Sequence, residues 1–472
     1  MRDADKVFEA RLRGQLPEAT FRPTAPHYLE EPRGLFRGGD GLVLAPGDVD
    51  EVSLIVKACH DARVAVVPYG GGTGLVGGQV MPAEICPRPV ILSMERMTRI
   101  RAIYPDENVL VAEAGAILAD VQAVAEGEGR LFPLSLASEG SCRIGGCLST
   151  NAGGVNVLRY GTARALCLGL EAVLPDGRIW HGLKRLRKDN TGYDLTNLLC
   201  GAEGTLGVIT AASLRLAPRP SAQATALLVV PGPAQALSLL SLAQDQIGEG
   251  ISAFELISGT GFAFLTEAGL GGPPPFAQAP AWSVLIDLGL GGGQEAGPAL
   301  LHLFELAQEK GLVSDGVISQ SEAQRAALWK LREEIPLANR HVGAVSSHDI
   351  SLPLSEIPAF LLRADAAIAQ LGPFRINAFG HLGDGNLHYN VFPPKGQQKH
   401  DHAAQAADIR AAVYDLVQKM GGSFSAEHGI GRLKPEELAR HADPTRLATL
   451  HAIKQALDPK GIMNPGVMFP PG

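Results

Sequence analysis

The chain has 472 residues, of which 46% are hydrophobic and 19% charged, and its formal net charge is −8. At about 150 residues per domain this length suggests two or three domains with substantial cores, which excludes an extensively disordered chain. The acidic balance, with no long Lys/Arg run, argues against a nucleic-acid partner, and no apolar stretch is long enough to span a bilayer.

Residues 1–35 form an irregular arm broken by Pro17, Pro23, Pro26 and Pro32. Asp48 then stands as an N-cap before Val52, Ile55, Val56 and Cys59, whose spacing predicts a helix. A buried strand is expected at 65–68, further strands at 90–93, 100–104 and 109–113, and a helix at 119–125. The stretch 131–210 reads as glycine-rich loop ending in a strand at 207–211. Paired prolines at Pro218 and Pro220 mark a boundary.

Beyond it the pattern becomes regular. Strands are predicted at 226–230, 253–257, 283–288, 347–351, 375–379 and 388–392. Helices are predicted at 233–246, 299–310, 321–335, 355–370, 403–420 and 444–457. Units of this kind build an antiparallel sheet with helices on one face, an α+β arrangement. The expected organisation is an arm at 1–35, a cofactor domain at 36–219, a substrate or cap domain at 220–440 and a closing segment at 441–472.

The start of the chain mixes acids and bases without an apolar core, which argues against a secretory or transit signal. The six cysteines form no C-x-x-C pair and suit reduced packing residues, so a cytoplasmic setting is expected. Glycine is the anomaly, at 56 residues where a usual ~7% would give far fewer.

The glycines concentrate in three segments. The first, Pro68 to Gly78, has glycine at 70, 71, 72, 74, 77 and 78 directly after a predicted strand. Such a loop can aim successive backbone N–H groups at one anion. It is no Walker loop, because no lysine follows, and no Rossmann fingerprint, because Met81-Pro82 follows instead of a helix. Taken alone, a flexible surface loop competes with the anion-binding reading. The second segment runs from Pro133 to Gly154, with paired glycines at 145–146 and 153–154, and the third from Asp189 to Thr210. Three such segments suggest an extended ligand contacted along its length.

A fourth stretch carries His381 and His388 on either side of Leu382-Gly-Asp-Gly-Asn386, and Ser425-Ala-Glu-His-Gly429 adds Glu427 and His428. On one strand an odd separation would put the two imidazoles on opposite faces, whereas a hairpin through the glycine turn can return them to one side. Two His and one Glu would make an N,N,O site for Zn²⁺, with Mn²⁺ or Fe²⁺ as alternatives. Satisfied core or surface histidines are the competing reading.

These segments together resemble the flavin-binding proteins of vanillyl-alcohol-oxidase type, and more closely the group of D-2-hydroxyglutarate dehydrogenases, D-lactate dehydrogenases and glycolate oxidase flavin subunits. The resemblance covers about residues 30–470 and implies FAD in a two-part domain followed by a cap domain. It carries cofactor contacts onto Pro68, Gly70, Gly71, Gly72, Thr73, Gly74, Leu75 and Gly78 in the first loop. In the second segment it implies Ser138, Gly140, Ser141, Ile144, Gly145, Gly146, Asn151, Ala152 and Gly154. Further on it implies Glu203, Gly204, Gly207, Ile209 and Asn464. Residues 68–78 contain no His or Cys, so the FAD is expected to be noncovalent.

The same resemblance assigns His381, His388 and Glu427 as metal ligands, His428 as catalytic base, and Arg332 and Asn390 as substrate contacts. It implies oxidation of a D-2-hydroxy acid (2-hydroxyglutarate, lactate or similar) with hydride transfer to flavin N5. A metal that chelates the substrate hydroxyl would lower its pKa, and a neighbouring imidazole would take the proton. Two departures bear on specificity. Pro336 stands where the 2-hydroxyglutarate enzymes carry Thr, and Ser347 where they carry Lys; Arg340, His341 or His348 could compensate. The electron acceptor is left open between a quinone, an electron-transfer flavoprotein and a partner subunit, and a homodimer is left open too. Two alternatives stand beside this reading: the flavin subunit of a multisubunit glycolate oxidase, and a non-catalytic flavin-binding or electron-relay protein.

Overall fold

A computed structural model describes residues 1–470. The chain divides into two compact units. One comprises residues 1–153, 162–219 and the segment from His428 onwards; the other comprises Gly154–Gly161 and Pro220–Glu427. The division at Arg219/Pro220 coincides with the proline pair. The later one falls between Glu427 and His428, thirteen residues before the expected 440/441 boundary.

The first unit holds two main sheets. Leu42–Leu44, Val90–Ser93 and Val66–Tyr69 pair in parallel, with Phe21–Arg22 antiparallel at one edge. The crossover between the first and last of these is the helix Val49–Ala62. Asp48 caps it by accepting from the Glu51 N–H, and Val52, Ile55, Val56 and Cys59 are its buried face. The second sheet is antiparallel, in the order Ile100–Tyr104, Val109–Glu113, Val208–Arg215, Cys167–Val173, Ile179–Gly182. The last two strands fall in the stretch expected to be loop. Cys167–Val173 is buried along nearly all its length, so it shows no alternation of polar and apolar residues. The segment 462–464 is tied in beside strand Val66–Tyr69: Val66 donates to the Ile462 carbonyl and Asn464 to the Val66 carbonyl, extending the strand that enters the first glycine loop.

The second unit is built on one seven-stranded antiparallel sheet. Its order is Asp315–Ile318, Ala222–Val229, Trp282–Leu290, Ile251–Ser258, Arg375–His381, Asn386–Phe392, Ser346–Ser351. Helices cover both faces, not the one expected. On one side Phe360 of Ile357–Leu371 stacks edge-on against Tyr389, and Tyr414 of Ala406–Lys419 against His348. On the other, Leu227, Leu285, Ile257 and Phe379 pack against Phe262 and Leu265, Leu328 and Leu331, and Ile335 and Ala338, from three further helices. The predicted helix at 321–335 is two: Glu322–Glu333, capped by Ser321, and Ile335–Val342. Pro336 lies in the first turn of the second, where its missing N–H has no intrahelical partner to lose, so it restarts the helix instead of ending it.

Candidate functional site

The three glycine segments converge in the first unit. Strand Val66–Tyr69 runs straight into Gly70. The loop then lies so close to the second segment that a Cβ at Gly71 would collide with the Ser141 carbonyl. The second segment is held from below: Ile144 donates to the Ala116 carbonyl at 3.0 Å and Gly145 to the Ala114 carbonyl at 2.7 Å, and Ile144–Ser149 is a short helix. The third joins through Glu203, whose N–H donates to the Ser149 carbonyl at 2.8 Å, and through Gly204, which abuts Pro68. Asn464 ties the ends together, its amide donating to the Gly78 and Glu203 carbonyls at 2.9 and 3.0 Å.

Three features of this cradle fit a bound ligand, the first of them an anionic one. Among the described residues, the N–H groups of Gly71, Gly72, Thr73 and Gly74 donate to no protein acceptor. A Cβ placed on Gly140 or on half-buried Gly146 would meet nothing within 4 Å. Asn151, Glu203 and Asn464 have φ of 50°, 51° and 44°, a left-handed backbone that costs a non-glycine residue energy and recurs at ligand sites. Thr150, Ala152, Gly207 and Ile209 complete the scaffold: Ala152 donates to the Cys147 carbonyl, Thr150 Oγ1 donates to the Gly146 carbonyl, and the buried Ile209 lies in strand Val208–Arg215. Leu75 is half buried in the first loop, the Ser138 carbonyl accepts from Ser141 and Cys142, and Gly154 is grouped with the second unit.

Glu203 has a second task. Its buried carboxylate accepts from the N–H groups of Ile430 and Gly431 at 2.8 and 2.7 Å. Burial raises its pKa while those two donors pull the other way. It thereby fixes the backbone just after His428, which Arg432 secures further by donating from its own N–H to the Val76 carbonyl.

In the second unit the hairpin Arg375–His381 to Asn386–Phe392 settles which way the two histidines point. Phe379 lies opposite His388 and Asn377 opposite Asn390, so His381, Phe379, Asn377, His388 and Asn390 share one sheet face. The register carries Glu255 onto that face opposite His381, and Asp349 and Ser347 opposite His388 and Asn390. His348 alternates to the other face, where its Nδ1 meets the Tyr389 carbonyl at 2.6 Å. It therefore cannot supplement the polar face as the sequence allowed.

His381, His388 and Glu427 offer ligand atoms that all lie within 4.8 Å of one another. His381 Nε2 is 3.9 Å from one Glu427 oxygen and His388 Nε2 is 3.8 Å from the other. Asp349 accepts from the Glu427 N–H at 3.1 Å and from the Asn386 amide at 2.9 Å, fixing the segment that presents Glu427. The imidazoles differ electrostatically. Burial pulls His388 down to about 4, which favours the neutral ring, the form that can ligate a cation. His381 is also disfavoured as a cation by burial, but the Glu255 carboxylate outweighs this and lifts it to about 9, so a metal at Nε2 would displace that nitrogen's proton while the Nδ1 proton stays on Glu255's side.

Glu255 was not singled out by the sequence. It is fully buried, and its oxygens meet His381 Nδ1 at 2.6 Å and Arg332 Nε at 2.7 Å. Burial works to raise its pKa, yet the two cationic partners hold it at about 2. Arg332 is 5% exposed, lies 4.8 Å from the Phe379 ring centre, and makes no protein hydrogen bond from its terminal nitrogens among the described residues. A buried guanidinium with an open fork suits a carboxylate. Its helix is anchored a second time through Arg325 and Trp329, which donate to buried Asp287 on the neighbouring strand. The only sequence signal for Glu255 was a carboxylate inside the predicted strand 253–257; its burial, which calls for a partner, came from the structure.

Residues 219–468 match the family described as FAD linked oxidases, C-terminal domain, and residues 41–182 match the FAD binding domain. A mitochondrial D-2-hydroxyglutarate dehydrogenase from Bos taurus is 39% identical, covering 95% of this chain and 81% of its own. A D-2-hydroxyglutarate dehydrogenase from Stutzerimonas stutzeri is 36% identical, covering 92% of each. Among solved structures, p-cresol methylhydroxylase superposes with a TM-score of 0.75 over 98% of this chain and 96% of its own, at 17% identity. Alkyldihydroxyacetonephosphate synthase does so with a TM-score of 0.71 over 98% and 85%, also at 17% identity. These two share the fold. Among the described residues no helix is long and apolar enough to cross a membrane.

Proposed function

Because this chain belongs to the FAD-linked oxidase family, we propose that it is a dehydrogenase that oxidises a D-2-hydroxy acid to the 2-oxo acid, with D-2-hydroxyglutarate the substrate its relatives' names favour. The observation that carries this reading is the gathering of His381, His388, Glu427, Asn390 and the open fork of Arg332 around one polar sheet face. The cradle of free N–H groups at Gly71–Gly74 supports FAD as the cofactor, noncovalently held. FAD, when bound, supplies the hydride acceptor at flavin N5. A divalent metal, Zn²⁺ first and Mn²⁺ or Fe²⁺ as alternatives, would be held by the two imidazoles and Glu427 and would supply a Lewis acid.

The chain's own groups do the rest. The guanidinium of Arg332 binds and orients a substrate carboxylate, and the Asn390 amide is a second polar contact on that face. His428 takes the proton from the substrate hydroxyl oxygen, with the backbone that follows it, at Ile430 and Gly431, held by Glu203. Pro336 and Ser347 leave the distal carboxylate of a diacid without the Thr and Lys of relatives, so a broad preference is part of the reading. The six free, buried cysteines support a reducing compartment such as the cytoplasm.

The test is anaerobic flavin bleaching with D-2-hydroxyglutarate, D-lactate and glycolate, before and after Zn²⁺ is added to chelator-treated protein. Bleaching by a D-2-hydroxy acid that depends on the metal is expected. Flavin left on the acid-precipitated chain would refute noncovalent binding, and protein that never binds flavin would refute the reading as a whole.

A further inference from the structure

We propose that Glu255 is a positioning residue that couples the substrate clamp to the metal site, setting Arg332 and His381 with a single carboxylate. The proposal rests on the roles given above to those two residues. Glu255 and His381 are directly opposite on antiparallel strands, so their side chains rise from the same face at adjacent positions. One carboxylate oxygen meets His381 Nδ1 at 2.6 Å and the other meets Arg332 Nε at 2.7 Å. All three groups are buried, at 0%, 7% and 5% exposure, so neither bond is exchanged with water at little cost.

The consequences follow from donor and acceptor chemistry. A carboxylate can only accept, so the proton of His381 stays on Nδ1, and Nε2 is the nitrogen that lies 3.9 Å from Glu427. Arg332 spends Nε on Glu255, which leaves its two terminal nitrogens as a parallel pair for a substrate carboxylate. The Phe379 ring 4.8 Å from the guanidinium limits tilting of that plane, and its ring centre is 5.0 Å from that of His388. A shift of Glu255 would therefore disturb a ligand nitrogen and the substrate fork together.

The experiment uses the FAD-loaded full chain with Glu255→Gln and Glu255→Asp. Zn²⁺ affinity is read by chelator competition, flavin content by absorbance, and KM and kcat with D-2-hydroxyglutarate. A glutamine can accept through one atom only, so one donor must face its amide. Glu255→Gln is expected to weaken Zn²⁺ binding by roughly 10–100-fold, the usual effect of losing a ligand's hydrogen-bond partner. KM should rise by about tenfold or more, while flavin content stays unchanged and kcat at saturating Zn²⁺ and substrate stays within about threefold. Glu255→Asp, which keeps the charge one methylene short, should recover part of both losses. Parent-like Zn²⁺ affinity and KM in Glu255→Gln would overturn the proposal, as would a fall in kcat alone. If Glu255→Gln does not fold, ¹⁵N-histidine spectra of the Zn²⁺-loaded parent decide, with His381 assigned by its loss in His381→Ala. Protonated Nδ1 and metal-bound Nε2 support the proposal; the reverse overturns it. A parent that turns over substrate but never takes up Zn²⁺ would overturn the metal role and this coupling, leaving the proposed dehydrogenase activity standing.

Discussion

The glycine cradle of the first unit and the histidine face of the second are built to hold their proposed ligands by opposite means. The cradle works through backbone: free N–H groups at Gly71–Gly74 and close passes that exclude a Cβ, as at Gly71 against Ser141. The histidine face works through side chains whose direction is set by strand register, with Glu255 beneath His381 and Asp349 beneath Glu427. The contrast teaches that a backbone site is damaged by adding atoms, and a side-chain site by removing them.

The contrast predicts independent failures. The largest effect should come from the side-chain site. His388→Ala deletes a proposed ligand and should abolish Zn²⁺ binding and lower turnover by roughly 10³-fold or more, with full flavin content. His428→Asn should keep both Zn²⁺ and FAD while turnover falls by roughly 10²–10⁴-fold. Metal analysis beside the flavin spectrum reads both variants. Flavin lost with His388→Ala would break the comparison.

Next comes an addition to the cradle. Gly71→Ala forces a methyl into the Ser141 carbonyl, and overpacking of this kind costs about 1–3 kcal/mol. FAD should bind roughly 5–150-fold more weakly, the equivalent of that cost, while Zn²⁺ binding is kept. Gly146→Ala sharpens the point, because its added methyl meets no protein atom within 4 Å. Within helix Ile144–Ser149 the flavin-free protein should gain roughly 0.5 kcal/mol from the exchange, read as a small rise in Tm. FAD affinity should still fall by about tenfold. A Gly146→Ala protein that binds FAD as tightly as the parent would place the ligand elsewhere.

The smallest effect concerns specificity on the histidine face. Ser347 is exposed and lies opposite Asn390, with its side chain on the polar side of the sheet. Ser347→Lys should raise kcat/KM for D-2-hydroxyglutarate over D-lactate by up to about tenfold, or ~1.4 kcal/mol. A strong native preference for the diacid that this change leaves unaltered would mean that another cation already serves the distal carboxylate.

The sequence by itself determined the elements with strong local signals. Strands Val90–Ser93, Ile100–Tyr104 and Val109–Glu113 and helices Val49–Ala62 and Pro444–Leu457 lie where hydrophobic patterning, and for the first helix the Asp48 cap, put them. Glycine spacing made the cradle legible because close backbone approach is a local demand, written into consecutive residues. The His and Glu motifs were legible as chemistry but not as geometry. Only tertiary structure decided that Cys167–Val173 is a strand buried within a sheet, that Pro336 restarts a helix, and that His348 turns away from the polar face. It alone joined Glu255 to Arg332 and His381 across 77 and 126 residues of sequence. Register is the physical reason: the face a strand residue occupies depends on which neighbour it pairs with, and that neighbour is chosen by packing far along the chain.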